Sequence, residues 1–324
     1  MEHFLQSIYD IFQNTFMIIL IMEVIIGNLG NGFLALVNCM NWVKRKKISF
    51  LNQILTALAV SRMCLLWLLL TCLLISSLYP DLTTAAGMIK VFSNLWIIVN
   101  HSSIWLSTCL GVFYFLKITN FSNSLFLYLK WRVKKTVSVT LLLSLIPLFF
   151  NILLVNLETN VCISEFQRNI SYSFRSHYYT QCYRRVLRFH TIFLFVPFGV
   201  CMLSFLLLIF SLWEHYKKMQ QRVQRYRDAS TTAHIKALQI VTAFLLLYTI
   251  FILSLLLQLW KYELINQSLF ISFCQVIYVA FPSFHSCVLI LGDVKLRQAC
   301  LSLCCGELNW NYFCQSFRIM RLLC

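Results

Sequence analysis

Charged residues, and acids above all, are scarce in this sequence. Only 12% of its 324 residues are Asp, Glu, Lys or Arg, about half the share found in soluble domains. There are 11 acidic residues against 27 basic ones, giving a net charge of +16. A chain with so few charges cannot cover a soluble surface of this size, which excludes an ordinary soluble globular protein.

Patterns that carry catalysis or bind cofactors are also missing. The sequence contains no HExxH, no Gly-rich phosphate loop and no GxSxG elbow, and its seven histidines are scattered. Such patterns place a nucleophile, a metal or a phosphate beside the groups that activate it. No spacing of the 14 cysteines resembles a zinc site. We therefore expect no enzyme, no cofactor and no metal.

Long apolar runs are what the chain does contain, since 60% of its residues are hydrophobic. A membrane-spanning helix needs ~20 predominantly apolar residues. Seven stretches qualify, at about 15–41, 52–78, 87–116, 136–156, 187–214, 236–260 and 269–291. The prediction is an all-α membrane protein whose seven-transmembrane helix bundle forms one domain over residues 1–324, with a tail at 292–324.

The basic residues orient this bundle. The segment before the first span contains Glu2 and Asp10 but no lysine or arginine, whereas "KRKK" at 44–47 follows that span at once. Basic loops stay on the cytoplasmic side, so we expect an extracellular N-terminus and a cytoplasmic C-terminus. The net charge then reflects topology and contact with membrane lipids, and no nucleic-acid partner is expected.

Glycosylation and disulfide formation depend on the same topology. Of the four N-x-S sequons, only Asn169 lies in an outer loop well clear of the bilayer, so we expect a glycan there. Cys162 and Cys182 share that loop, and both a disulfide and two free thiols fit the sequence. Cys300 and the cysteines after it follow the last span on the inner side, where palmitoylation and unmodified thiols are equally compatible.

Three stretches in the spans identify a family. The second span contains "LTALAVSR" (55–62), the third "NHSSIWLSTCLGVFYFLKITNFS" (100–122) and the seventh "PSFHSCVLILGDVKLRQ" (282–298). With "GNLGNGFLALVNCMNWVKRKKIS" in the first span and "HIKALQ" entering the sixth, these stretches resemble the type 2 taste receptors, the bitter receptors. The resemblance covers essentially the whole chain. One departure is Asp293, where that family usually has Asn.

This resemblance implies a function and partners. It implies a G-protein-coupled receptor of the plasma membrane that binds bitter small-molecule agonists and activates a gustducin-like heterotrimeric G protein, with calcium release downstream. The DRY and NPxxY motifs of the large rhodopsin-like class are absent, as they are in bitter receptors. A vomeronasal type 1 receptor shares the architecture but not "HSxxLILG" with "LAxSR". A small-solute transporter would show internal repeats and interrupted helices, and we see neither in the sequence.

Arg62 is the one basic residue in the middle of an apolar run. It lies ~15 Å from the inner boundary of its span, at the depth of Asn31 and Pro282. Pro282 frees the carbonyl of Tyr278 from its helical hydrogen bond, and a guanidinium carries five donors. We predict that Arg62 donates to Asn31, to freed carbonyls and to Ser286, without a salt bridge; the alternative is an arginine that snorkels to an interface.

The resemblance supports this network, because Asn31, Arg62 and Ser286 match positions thought to hold three helices of the family together. The residues we assign to the network are Asn31, Arg62, Pro282, His285 and Ser286.

A polar stripe in the third span predicts the ligand site. Trp96, Asn100, Ser103 and Ser107 fall on one helical face. By resemblance, Trp96 and Asn100 match ligand-contacting positions of bitter receptors, as do Phe251 and Gln275. The alternative is interhelical packing, since Asn and Ser also join membrane helices. Because Gln275 is neutral, we expect apolar or hydrogen-bonding ligands rather than cationic ones.

Inner segments are candidates for G-protein coupling. "FLKITNF" (115–121), which includes Phe115 and Lys117, occupies the place where the missing DRY would act. "KKMQQRVQRYR" (217–227) extends the fifth span with basic residues and resembles a docking extension. Its candidate residues are Lys217, Lys218 and Arg222. Positive-inside anchoring is the alternative for each single charge.

Overall fold

The computed structural model describes the backbone of residues 2–45, 49–79, 86–119, 121, 123–168, 172–222, 229–260, 267–292 and 294–304, and most side chains within 7–43, 49–79, 87–164, 185–217, 242–257 and 269–301. The described residues form ten α-helices. They are α1 (Glu2–Arg45), α2 (Phe50–Leu78), α3 (Ala86–Ile118), α4 (Ser124–Trp131), α5 (Val133–Leu143), α6 (Leu145–Arg168), α7 (Tyr172–Arg222), α8 (Ala229–Trp260), α9 (Gln267–Gly292) and α10 (Val294–Cys304).

The long helices correspond to the predicted spans. Six of the seven predicted ranges lie inside one helix each, and the fourth, 136–156, crosses from α5 into α6. Among the described residues, six segments can cross a membrane by length and composition: 7–43 in α1, α2, 87–118 in α3, 133–164 in α5 and α6, 185–211 in α7, and 272–292 in α9. The seventh helix, α8, contributes a shorter described apolar segment, Thr242–Leu257. The described part of the chain is therefore helical and is organised as a membrane helix bundle.

Local sequence explains where two of these helices begin. Ser49 caps α2, because its Oγ accepts a hydrogen bond from the backbone N–H of Asn52 at 3.2 Å. Pro147 explains the break between α5 and α6. It has no N–H to give to the carbonyl of Leu143, and the chain makes one turn at Ser144 before α6 continues. The chain therefore crosses at this point as two helices instead of the predicted one.

The helices pack as a ring in chain order. α1 contacts α2 and α9, α2 contacts α3, α7 contacts α6 and α8, and α8 contacts α9. The third helix, α3, lies in the middle and contacts α2, α5, α6 and α7. Residues of α3 are thus the ones best placed to join different parts of the bundle.

Two apolar clusters fill the bundle, and a polar layer separates them. The upper cluster, on the side where α1 begins, includes Leu20, Leu66, Ile104, Phe251 and Tyr278. The lower cluster includes Leu34, Leu58, Leu110, Val137 and Leu289.

In each of α1, α2, α3 and α9, buried polar residues lie between the residues of the two clusters. These polar residues are Asn31, Arg62, Ser107, Ser283, His285 and Ser286. A continuous polar layer therefore crosses four helices at one level.

Candidate functional site

Arg62 lies in the polar layer and is completely buried, with 0% of its surface exposed. One terminal nitrogen contacts Nδ1 of His285 in α9, and the other donates to Oγ of Ser107 in α3 at 2.8 Å. The guanidinium carbon also lies 5.2 Å from the ring centroid of Phe281, within the range of a cation–π contact. Arg62 therefore joins three helices and does not snorkel to an interface.

His285 can have only one role in this contact. A guanidinium has donors and no acceptor, so Nδ1 of His285 must accept and the imidazole must be neutral with its proton on Nε2. Its ring packs at 4.7 Å against Phe244 of α8, with the two planes at 72°. The cluster of Arg62, Ser107, Phe281 and His285, which we call the Arg62 cluster, thus contacts α8 through an aromatic edge.

Beside this cluster, α1 and α9 are joined by a hydrogen bond and by close packing. Nδ2 of Asn31 donates to the carbonyl of Pro282 at 3.2 Å and to the carbonyl of Gly27 at 2.8 Å. A Cβ at Gly27 would lie 2.6 Å from Oγ of Ser283 and 2.7 Å from Cδ1 of Leu66. Small residues permit this approach, as is common between membrane helices.

The predicted partners of Arg62 were partly wrong. Oδ1 of Asn31 is buried without a hydrogen-bond partner, so Arg62 does not donate to it. The hydroxyl of Ser286 donates to the carbonyl of Ser283 at 2.8 Å. Arg62 contacts His285 and donates to Ser107 instead, and it makes no hydrogen bond to the carbonyl of Tyr278. The carbonyl of Pro282 accepts a hydrogen bond from Asn31. Among the described residues no carboxylate pairs with Arg62.

A second buried polar cluster lies between α3, α6 and α7. His190 of α7 is 5% exposed. Its Nε2 lies 2.9 Å from Nδ2 of Asn100 in α3, and its Nδ1 lies 3.1 Å from Nδ2 of Asn151 in α6. We call these three residues the His190 cluster. The amide of Asn100, predicted to contact ligand, is thus held by a neighbouring helix.

The other predicted ligand residues lie around Tyr278. Trp96 of α3 stacks on Tyr278 with centroids 5.4 Å apart, and Phe251 of α8 lies 4.8 Å from the same ring. Gln275 is half-buried and one helical turn before Tyr278 on α9. Asn100 follows Trp96 by one turn on α3. The structure therefore brings Trp96 and Phe251 to one ring, with Gln275 and Asn100 one helical turn away along α9 and α3.

At the other end of the bundle, Phe115 lies in an aromatic group. Its ring is 5.5 Å from Phe126 of α4 and 6.4 Å from Phe121, and those two rings are 5.2 Å apart. Lys130 donates to the carbonyl of Thr119 at 2.6 Å. These contacts fix α4 against the end of α3. Phe115 is thus placed to orient the loop that follows α3.

The basic candidates are only partly described. The side chains of Lys117 and Lys217 are exposed, and Nζ of Lys217 lies 6.0 Å from the ring centroid of Trp213. The side chains of Lys218 and Arg222, and the whole of Asn169, lie outside the described residues. Cys162 is disulfide-bonded, whereas the side chain of Cys182 is also outside the described part of the chain.

Comparison with known proteins places the chain in a family. The family model described as taste receptor protein (TAS2R) matches residues 8–307. Rat taste receptor type 2 member 109 is 68% identical over 303 residues, which cover 93% of this chain and 95% of the relative. Rat member 117 is 63% identical over 317 residues, covering 98% of both. Gorilla member 14 is 50% identical over 293 residues, covering 90% and 92%.

This chain belongs to the type 2 taste receptor family. The family resemblance read from the spans is confirmed, and the vomeronasal alternative is set aside. The family is one of receptors rather than enzymes, and its members together with the apolar helices make this a multi-pass membrane protein. The bitter taste receptor family also accounts for the absence of catalytic patterns in the sequence.

Several residues of this taste receptor were not predicted as members of its polar clusters. Ser107 lies on the polar stripe of α3, but a stripe does not show which neighbouring helix it faces. His190 and Asn151 were not selected, although Asn151 interrupts the apolar run "PLFFNILL" (147–154). An ionisable residue inside a membrane span indicates a functional position, and this signal applies to His190; the interrupted apolar run is the signal for Asn151.

Proposed function

We propose that this protein is a bitter taste receptor of the plasma membrane that binds bitter small molecules in the upper half of its bundle. The main supporting observation is that Trp96 and Phe251 both contact the ring of Tyr278, with Gln275 one turn before Tyr278 on α9 and Asn100 one turn after Trp96 on α3. Aromatic surfaces beside a few polar groups are the usual lining of a small-molecule site. Since Gln275 is neutral, the favoured ligands are apolar or form hydrogen bonds.

The orientation of the receptor follows from its charges. The acidic N-terminal segment faces outward and the basic "KRKK" faces the cytoplasm, which puts the upper half on the extracellular side. Asn169 then carries a glycan in the outer loop. The C-terminal tail is cytoplasmic.

G-protein coupling takes place at the lower end. Ligand binding favours a conformation in which the inner helix ends open and engage a gustducin-like heterotrimeric G protein, with calcium release downstream. The groups we assign to this step are Phe115, Lys117, Lys217, Lys218 and Arg222. The packing of Phe115 against Phe121 and Phe126 supports its role, because movement of α3 would be passed to α4.

Calcium imaging tests this function. Cells expressing the receptor and a promiscuous G-protein α-subunit are challenged with a broad panel of bitter compounds, and surface level is measured in parallel. We expect saturable, receptor-dependent calcium signals for some compounds, and retention of these signals when the subunit is replaced by gustducin. Silence across the panel with normal surface expression would contradict the proposal.

A tryptophan pair tests the site. Trp96→Ala removes the ring stacked on Tyr278 and should weaken agonist potency about tenfold or more, since an aromatic truncation in a site costs on the order of 2 kcal/mol. Trp67→Ala is the matched control, because Trp67 is 58% exposed on the outside of the bundle. Equal dose responses for the two variants would remove Trp96 from the site.

A further inference from the structure

His190 contacts two amide groups in a way that fixes its protonation. Both ring nitrogens are paired with Nδ2 atoms, those of Asn100 and Asn151. A neutral imidazole has one donor and one acceptor, so two NH₂ groups cannot both donate to it. An imidazolium would be a buried charge with no carboxylate near it among the described residues, which is costly. One amide must therefore present its oxygen to His190.

The surroundings of Asn151 decide which amide it is. Oδ1 of Asn151 is buried without a hydrogen-bond partner, and the oxygen and nitrogen of an amide are assigned from their contacts. Turning this amide lets Nδ1–H of His190 donate to Oδ1. The NH₂ group then takes the place of the unpaired oxygen, and elsewhere in the bundle the NH₂ groups of Asn28, Asn31 and Asn156 each donate to the carbonyl four residues back in their own helix.

This arrangement leaves Asn100 in a single orientation. Nε2 of His190 carries no proton and accepts from Nδ2 of Asn100. Oδ1 of Asn100 makes no hydrogen bond within the described residues. It is therefore the end of the amide that remains for a bound molecule, one turn below the Trp96 ring.

We infer that His190 is a positioning residue that makes Asn100 a hydrogen-bond acceptor, so that the receptor selects ligands with an O–H or N–H donor. The inference rests on the proposed function, in which Asn100 contacts the ligand. His190 does not itself touch the ligand; it acts through Asn100. The opposite tautomer would turn the NH₂ of Asn100 toward the ligand and select acceptors.

Paired ligands test this selectivity. Bitter phenols, amides and xanthines are each compared with the O- or N-methyl derivative that has lost its donor, by calcium imaging in receptor-expressing cells. In the wild type, methylation should weaken potency about tenfold, the effect of one hydrogen bond. In His190→Phe the difference should fall below about threefold, because the amide of Asn100 is no longer held.

Two further variants separate positioning from folding. His101→Phe is the matched control: His101 is also buried and follows Asn100 on α3, but it contacts Ser144 of the turn between α5 and α6. It should keep the tenfold preference at comparable surface level. His190→Gln, whose amide can still accept from Asn100, should restore part of the preference. An unchanged preference in His190→Phe at normal surface level overturns the inference and leaves the proposed function intact.

The tautomer is measured without a ligand. The full-length receptor is labelled with ¹⁵N-histidine in lipid nanodiscs, and the signals of His190 are identified by their loss in His190→Phe. A protonated nitrogen at Nδ1 supports the inference, and a protonated Nε2 overturns it. Silence of the wild type toward all paired ligands would overturn the proposed function, and with it the ligand selectivity, whatever the tautomer.

Discussion

The two buried histidines, His285 and His190, join helices in different ways. His285 faces the permanent cation of Arg62, so it can only accept, and its tautomer is fixed by its partner. His190 faces two amides that can each turn, so its tautomer is set by the surroundings of those amides. The Arg62 cluster is therefore a rigid part of the bundle, whereas the His190 cluster can be altered by one substitution in a neighbouring helix.

Position strengthens this contrast. The Arg62 cluster lies in the polar layer between the two apolar clusters and joins α2, α3 and α9, with Asn31 bringing in α1. The His190 cluster joins α3, α6 and α7, where Asn100 is next to Trp96. Damage to the Arg62 cluster should therefore affect folding and every agonist alike. Damage to the His190 cluster should affect some agonists and spare the fold.

Removal of the cation should have the largest effect. Arg62→Ala loses two hydrogen bonds made by a charged group, each worth about 1.5–3 kcal/mol, and leaves Nδ1 of His285 without a donor. We expect surface expression to fall severalfold and the purified receptor to unfold at lower temperature. Arg132→Ala is the control, because Arg132 is exposed and its guanidinium lies over Tyr128. Similar melting temperatures for the two variants would contradict the structural role of Arg62.

The second-largest loss of stability is expected from overpacking beside the Arg62 cluster. Gly27→Ala places a methyl group within 2.7 Å of both Ser283 and Leu66, and such overpacking costs about 1–3 kcal/mol. Gly32→Ala is matched to it on the same helix, because a Cβ there meets its nearest neighbour, Sδ of Met63, at 3.8 Å. Thermal unfolding of the two variants should separate them, and equal stability would show that α1 can move away from α9 freely.

The third-largest loss of stability is expected from removal of one hydrogen bond between α1 and α9. Asn31→Ala removes the bond to the carbonyl of Pro282 and should cost about 1 kcal/mol. Asn28→Ala, whose amide donates only to Val24 of its own helix, should cost less. Denaturation of both variants in detergent measures the difference, and a larger loss in Asn28→Ala would refute the assignment.

The smallest effect is expected in the upper half of the bundle. Asn94 of α3 and Asn156 of α6 exchange two hydrogen bonds, at 3.2 and 2.7 Å. Both bonds are only part-buried, whereas the bond from Asn31 to Pro282 is buried, and polar contacts between membrane helices contribute about 0.6 kcal/mol on average. Asn156→Ala should therefore change unfolding and surface level only slightly. A loss as large as that of Arg62→Ala would erase the contrast between the two halves.

The sequence predicted the helices better than it predicted their contacts. Apolar runs of sufficient length gave seven helices, because in lipid the backbone must satisfy its own hydrogen bonds. The depth of Arg62 was also readable, since rise per residue is constant. The hydrogen-bond partners of Arg62 could not be predicted, because residues at one depth on four helices can face in several directions. The guanidinium contacts Ser107 and His285, whereas Asn31 and Ser286 donate to backbone carbonyls of α9.

Residue spacing also could not reveal the break at Ser144 or the contacts of His190. The break depends on the carbonyl of Leu143, one turn before Pro147, which has no N–H to donate to it. The His190 cluster needs three helices to meet, and no pattern within one helix encodes this. By contrast, the ligand role of Trp96, Asn100, Phe251 and Gln275 stays a prediction, and the structure adds that Trp96 and Phe251 both contact the ring of Tyr278.

The separation of the two apolar clusters has a consequence for how these receptors diverge. Because the polar layer divides them, a substitution among the upper side chains can change the shape offered to a compound without repacking the lower side chains. Under the proposed function, members of the family can thus differ in the compounds that they bind while sharing the same coupling end of the bundle. In an alignment of the rodent relatives, we expect substitutions to accumulate in the upper cluster around Trp96 and Tyr278 and to be fewest in the polar layer.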